Sequence, residues 1–221
     1  MKAMILAAGR GERMRELTRY IPKPLLEVNG KALIEHQLER LISAGFVEIV
    51  VNVAYLGDLI VARLGDGSAY GATIEYSQEV EGALGTGGGV RQALSLLGGG
   101  PIAIVNADVW SDYPYDKLRP PTRAGVHTVL VPNPAHVPKG DFGLKGGVLS
   151  RDGSPRYTFS GIATYDSGLF AGEAGESFSL VRVIDGAIRC GRATGELFEG
   201  VWMDVGTPQR YQSLLYVEQQ N

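Results

Sequence analysis

The chain has 221 residues, 44% of them hydrophobic and 20% charged, which is ordinary for a soluble globular domain with one good core. Lys plus Arg number 21 against 24 for Asp plus Glu, a net charge of -3 with no basic stripe, which excludes a nucleic-acid-binding face. No apolar run approaches the roughly 20 residues that span a bilayer and the N-terminus does not read as a signal peptide, so a cytoplasmic protein with no membrane partner is expected.

Met4-Ile5-Leu6 is a short apolar run that stops at a glycine-rich turn, the mark of a buried first strand delivering a loop to a sheet edge. Gly9 and Gly11 let successive backbone N–H groups converge on an anion. Arg13 and Lys23 add two full positive charges ten residues apart, a planar fork and a mobile point charge that together suit a triphosphate better than a single carboxylate. Pro22 and Pro24 stiffen the segment that carries Lys23. The dinucleotide fingerprint fails because Met14 stands at its third glycine, and the Walker pattern fails because no Gly-Lys-Ser/Thr follows.

Ala32 to Ala44 places Leu33, Leu38, Leu41 and Ile42 on one helical stripe closed by Gly45. Glu48 to Val53 reads as a covered parallel strand, Leu56 to Leu64 as a helix and Thr73 to Ser77 as a strand. Strands alternating with helices predict a parallel sheet covered on both faces. The run from Ser77 to Val90 reads as a tight glycine loop through Gly85, Gly87, Gly88 and Gly89, followed by a helix from Val90 to Leu97. Ile102 to Asn106 is another apolar strand. It delivers Asp108 to the carboxyl end of a central strand, where open α/β sheets bind ligands and a carboxylate suits a magnesium ion. Asp112, one turn on, reads as a helix-start or turn aspartate.

Beyond Pro120-Pro121 the pattern loosens. Val126 to Val131 is expected as an edge strand, Asn133 to Asp141 as a substrate-side insertion, and Phe142–Leu144 with Val148–Leu149 as a small hairpin. Tyr157 to Ile162 alternates as a strand expected to end at Ser160-Gly161. Ser179 to Arg189 reads as a helix closed by Gly191, and Thr207 with Pro208 as the cap and first turn of a last helix. The single Cys190 rules out an internal disulfide, fits a reducing compartment and is expected as a small buried hydrophobe. His36, His127 and His136 lack partners at metal-ligand spacing, which argues against zinc, and no Gly-x-Ser-x-Gly elbow exists.

The run LAAGRGERMRELTRYIPKPLLEVNGKALI resembles the signature of the sugar-1-phosphate nucleotidyltransferases, and WMDVGTP resembles that family's Trp-x-Asp-x-Gly-Thr-Pro segment. The resemblance spans Met1 to about Tyr211. It implies an α/β fold, a Rossmann-like three-layer sandwich of GT-A type around a mostly parallel sheet. A single domain, 1–221, is expected, with a nucleotide-binding half at 1–112 and a sugar-binding half at 113–221. The resemblance implies nucleotide contacts at Leu6, Ala7, Ala8, Gly9, Gly11, Arg13, Lys23 and Asn106, with the base held by Gln78, Glu79, Gly85 and Thr86. It places Ser160-Gly161 against the sugar ring. Asp141 is left as either a sugar contact or a turn aspartate, and Trp202 as a core residue before a sugar-stacking one. It makes Asp204 the second magnesium ligand beside Asp108, and Arg13, Lys23, Asp108 and Asp204 the catalytic set. The family usually has Gly-Asp where Ala107-Asp108 stands here.

Among short members, VNADVWSDY, GDF, TFSGI and WMDVGTPQR narrow the implied reaction to UTP plus N-acetylmuramate 1-phosphate, giving UDP-N-acetylmuramate and pyrophosphate in bacterial cell-wall recycling. No hexapeptide β-helix repeat follows, which sets aside the bifunctional acetyltransferase-uridylyltransferases. The expected partners are UTP and a sugar 1-phosphate, with no protein partner, the chain being a monomer or small homo-oligomer. A hexose-1-phosphate thymidylyl- or guanylyltransferase, a choline phosphate cytidylyltransferase and a non-catalytic nucleotide sensor are the alternatives. Intact Arg13, Lys23, Asp108 and Asp204 count against the sensor.

Overall fold

The sheet is covered on both sides because its inner strands are apolar on both faces. Along Lys2–Leu6, Ala3 and Ile5 pack into one hydrophobic cluster and Met4 into another, all fully buried. The computed structural model describes residues 1–79, 84–121, 124–173, 175 and 177–219. β1 (Lys2–Leu6) leads through two 3-10 turns to a hairpin of β2 (Glu27–Val28) and β3 (Lys31–Ala32). Then come α1 (Leu33–Ser43), β4 (Glu48–Val53), α2 (Gly57–Leu64), β5 (Thr73–Gln78), α3 (Gly85–Gln92), α4 (Leu94–Leu97), β6 (Pro101–Asn106) and β7 (Val109–Ser111). The later elements are β8 (Val126–Val131), β9 (Phe142–Lys145), β10 (Val148–Ser150), β11 (Arg156–Asp166), α5 (Gly168–Ala171), α6 (Leu180–Arg189), β12 (Ala193–Leu197), β13 (Trp202–Asp204) and α7 (Pro208–Glu218).

Nine strands form the main sheet in the order β5-β4-β1-β6-β11-β8-β12-β10-β9. The first four are parallel, and antiparallel β11 follows beside β6. Ile34, Leu38 and Leu41 of α1 and Ile60 and Leu64 of α2 cover one face. Val90, Ala93 and Leu97 with Leu180, Val183 and Ile184 of α6 cover the other. The result is the expected three-layer α/β sandwich. A third cluster, Met14, Leu26, Val28, Leu33, Trp110, Val205 and Leu214, ties the signature segment to the β7/β13 ribbon and α7.

Five expectations are corrected. The main sheet is mixed and not mostly parallel, with four parallel and five antiparallel pairings. Val126–Val131 is no edge strand: it pairs antiparallel with β11 and parallel with β12, which the chain supplies only at Ala193. The strand at Tyr157 does not end at Ser160-Gly161 but continues to Asp166 across a register shift between Phe159 and Ala163. There Gly161 takes φ +80 and the Ser160 hydroxyl donates to Val129 O at 2.7 Å. Helix α3 begins at Gly85 rather than Val90, because the Gly87 and Gly88 amides of its first turn find Phe178 O at 2.9 and 3.2 Å. Cys190 is exposed, at the C-cap of α6.

Candidate active site

Chain order reverses at β1, which has β4 on one side and β6 on the other, and a cleft of about 310 Å³ opens at the carboxyl ends of these strands. Leu6, Ala7, Ala8 and Gly9 after β1, Asn106, Ala107 and Asp108 after the neighbouring β6, Lys23 of the signature segment, and Glu79, Leu84, Gly85 and Thr86 line it. Residues 80–83, within the glycine loop expected between Ser77 and Val90, lie outside the described residues.

Lys23 forms an ion pair with Asp108 on the cleft wall. Asp204 arrives from the ribbon: β13 pairs antiparallel with β7, and the Val205 amide donates to Asp108 O at 2.8 Å, so the two aspartates leave neighbouring strands. The Asp204 carboxylate is met by two side-chain nitrogens, Arg210 Nη2 at 3.1 Å and His136 Nε2 at 3.0 Å. Neither contact has hydrogen-bond alignment, so Asp204 Oδ1 and Arg210 Nε and Nη2 are buried without a hydrogen-bond partner. Arg13 belongs to the same group. A Cβ at Gly206 would overlap Arg210 Nη2 and lie 3.2 Å from Asp204 Oδ2 and 3.3 Å from Arg13 Nη2, so this glycine lets both guanidinium groups converge.

Asn52 is the buried residue that sequence reading missed. Its Oδ1 accepts the Ala7 amide at 2.8 Å, and its Nδ2 donates to Glu79 Oε1 at 2.6 Å. A Cβ at Gly89 would overlap Glu79 Oε1 and come within 2.9 Å of Asn52 Nδ2, so the pair needs glycine there. Burial raises the Glu79 pKa, partly offset by the Asn52 hydrogen bond. The signal was one amide inside the apolar run EIVVNV. Arg10, also missed, lines the cleft with its guanidinium 5.4 Å from the Tyr55 ring centroid.

Some expected contacts do not line this cleft. Gln78 is exposed, and it is its carbonyl that accepts the Gln92 amide at 2.6 Å. Gly11 and Arg13 lie farther along the signature segment, outside the cleft lining. Thr86 lines the cleft, but its hydroxyl accepts the Leu180 amide at 2.9 Å. On the sugar side, Gly161 abuts the Asn106 side chain, whose Oδ1 is buried and unpartnered. The Ser160 hydroxyl is spent on Val129 O and the Ile162 amide, while Trp202 Nε1 donates to Ser160 O at 2.9 Å. Asp141 ties its loop to β11, with Oδ2 accepting the Phe159 amide at 2.8 Å. Asp112 is exposed.

The residues present fit a hard divalent cation. Two carboxylates leave adjacent strands, and Asp204 Oδ1 has an unclaimed lone pair. Magnesium favours that donor set, one or two carboxylates completed by substrate phosphates and water.

A family model for nucleotidyl transferases matches residues 2–144. An N-acetylmuramate alpha-1-phosphate uridylyltransferase of Neisseria meningitidis is 50% identical over 216 residues, covering 94% of each chain. The enzyme of that name from Caulobacter vibrioides is 38% identical over 225 residues, 94% of this chain and 92% of that one. A Bacillus anthracis protein assigned as a glucose-1-phosphate thymidylyltransferase shares the fold, with TM-score 0.86 at 20% identity, over 100% of this chain and 96% of that one. No described helix is long and apolar enough to cross a membrane. On sequence, fold and the grouping of Lys23, Asp108 and Asp204, the chain is a member of the nucleotidyl transferase family and an enzyme.

Proposed function

We propose that the enzyme transfers UMP from UTP to N-acetylmuramate α-1-phosphate, releasing pyrophosphate, and that it serves cell-wall recycling in the cytoplasm. What supports this is the Lys23–Asp108 ion pair on the β1/β6 cleft, with the Val205 amide tying the Asp204 strand end to Asp108 and Arg13 beside Gly206, in a chain 50% identical to a uridylyltransferase with that acceptor in its name. Residues 1–112 hold the nucleotide and 113–221 the sugar, within one domain that works as a monomer or small homo-oligomer without a protein partner.

A sugar phosphate has a second pKa near 6, so at neutral pH it is a dianion and needs no general base. A phosphate oxygen of the sugar attacks the α-phosphorus of UTP, and the bond from that phosphorus to the pyrophosphate oxygen breaks. The obstacle is repulsion between anions. Lys23 leaves Asp108 for the α-phosphate, Arg13 takes the departing pyrophosphate, and the amides of the Ala8–Arg10 loop hold the phosphate tail in line. Glu79, Gly85 and Thr86, which line the cleft, hold the base. Asp108 and Asp204 would hold a magnesium ion, which supplies charge neutralisation of the reacting phosphates.

The test crosses each nucleoside triphosphate with the 1-phosphates of N-acetylmuramate, N-acetylglucosamine, glucose and mannose in magnesium buffer, reading nucleotide sugars by mass spectrometry. UDP-N-acetylmuramate should dominate. A different dominant product overturns the substrate assignment, and no product from any pair overturns the activity.

A further inference from the structure

The insertion after β8 is a braced platform. Arg156 donates to Lys139 O at 3.1 Å, Gly140 O at 3.3 Å and Asp141 O at 2.8 Å, and also to Arg151 O. Asn133 Nδ2 donates to Arg156 O at 3.0 Å and its Oδ1 accepts the Thr158 hydroxyl at 3.0 Å, while Asp141 Oδ2 holds the Phe159 amide. So many bonds fix one short loop far beyond what a surface connection requires. Its tip carries His136, whose Nε2 reaches Asp204 Oδ1 at 3.0 Å while 39% of the side chain stays exposed.

The proposed acceptor differs from N-acetylglucosamine 1-phosphate by a lactyl ether bearing a carboxylate. A second anion entering beside Asp204 meets repulsion unless a donor receives it. The arginines nearby are engaged, and Lys139 of the same loop is exposed. Arg156 is spent on backbone carbonyls, Arg151 pairs with Asp185 at 3.0 Å, and Arg210 lies against Asp204. Lys23 and Arg13 belong to the phosphates. His136 combines an open edge, a rigid mount and contact with a residue of the reaction centre.

Building on the acceptor assigned above, we propose that His136 is a specificity-determining residue whose ring donates a hydrogen bond to the lactyl carboxylate of the sugar acid. Hydrogen bonds to charged groups discriminate by roughly tenfold to a hundredfold when one partner is removed.

The test measures kcat/KM for N-acetylmuramate 1-phosphate and N-acetylglucosamine 1-phosphate in wild type, His136→Ala and His136→Gln, with circular dichroism to confirm folding. In His136→Ala, kcat/KM for the sugar acid should fall on the order of tenfold or more, mostly through KM, with the neutral sugar changed by less than about threefold. His136→Gln, which keeps an N–H donor, should recover part of the preference. An equal fall for both sugars overturns the proposal, since His136 would then act only through Asp204, and so does no change for either. Wild type that makes no product from N-acetylmuramate 1-phosphate overturns the acceptor assignment and this inference together, an outcome separate from the first two.

Discussion

Asn52 stands between the two halves of the nucleotide site, 2.6 Å from the Glu79 carboxylate on one side and 2.8 Å from the Ala7 amide on the other. It lies in β4, next to β1, and is 3% exposed, so both bonds are made where water cannot substitute. Asn52→Leu keeps the volume and removes donor and acceptor, leaving the Ala7 amide and Glu79 unpaired. Stability should fall by about 1–3 kcal/mol in chemical denaturation, and KM for UTP should rise on the order of tenfold with kcat less affected. An unchanged KM would show that the Ala7 turn keeps its shape without Asn52.

Glu79 gives that pair a pH signature. Burial sets its folded pKa above 4.5, so the neutral acid is the form the fold prefers. Its favourable contribution is complete below the unfolded pKa and is lost as pH rises through the raised folded value. Glu79→Gln removes the titration and keeps an oxygen for Asn52 Nδ2. Thermal unfolding from pH 4 to 8 should therefore show the variant gaining on wild type as pH rises. A constant difference across that range would mean that Glu79 does not titrate there.

Much of the scaffold was legible because short apolar runs such as AMIL, EIVVNV and IAIVN have one reading when they alternate with amphipathic stretches. The two aspartates were legible because each ends such a run inside a longer motif. What sequence concealed depends on partners far along the chain. Glycine is a poor helix former, yet Gly85–Gly89 is helical because Phe178 O receives its first amides and Glu79 fits against Gly89. Likewise β8 is interior only because β12 pairs with it from Ala193 onward. His136 and Arg210 look like surface residues until β13 places Asp204 between them.

Glu35 tests the scaffold away from chemistry. It is 7% exposed on α1, and burial alone would raise its pKa. Hydrogen bonds from Arg63 Nη2 at 2.8 Å, the Tyr70 hydroxyl at 2.7 Å and the Ala32 amide at 2.8 Å reverse that and hold it near 2. The folded value lies below the ordinary 4.5, so the stabilisation is complete above pH 4.5 and is lost as pH falls toward about 2. The shift corresponds to at most about 3 kcal/mol, reduced in practice by solvent around Arg63. Glu35→Gln should lower the melting temperature at pH 7, and the difference from wild type should shrink steeply by pH 2.5. Equal destabilisation at both pH values would assign the loss to packing instead of charge.

Asp108 and Asp204 should respond differently to losing their charge, because they have different partners. Asp108→Asn leaves Lys23 without its counter-ion on the cleft wall, so UTP binding should survive or tighten while turnover falls. Asp204→Asn leaves Arg210 and His136 facing an uncharged amide and removes the carboxylate that links the ribbon to the acceptor side. For both, kcat/KM should drop by about 10³-fold or more, the scale expected when preorganised charge at a phosphoryl-transfer site is removed. In wild type a chelator should abolish turnover and added magnesium restore it. Steady-state kinetics against magnesium concentration, with UTP affinity measured by calorimetry, separates the roles. Asp204→Asn should require more magnesium for half-maximal rate at near-normal UTP affinity. A variant at either position that turns over like wild type would remove that aspartate from the metal site and leave the other as its sole protein ligand.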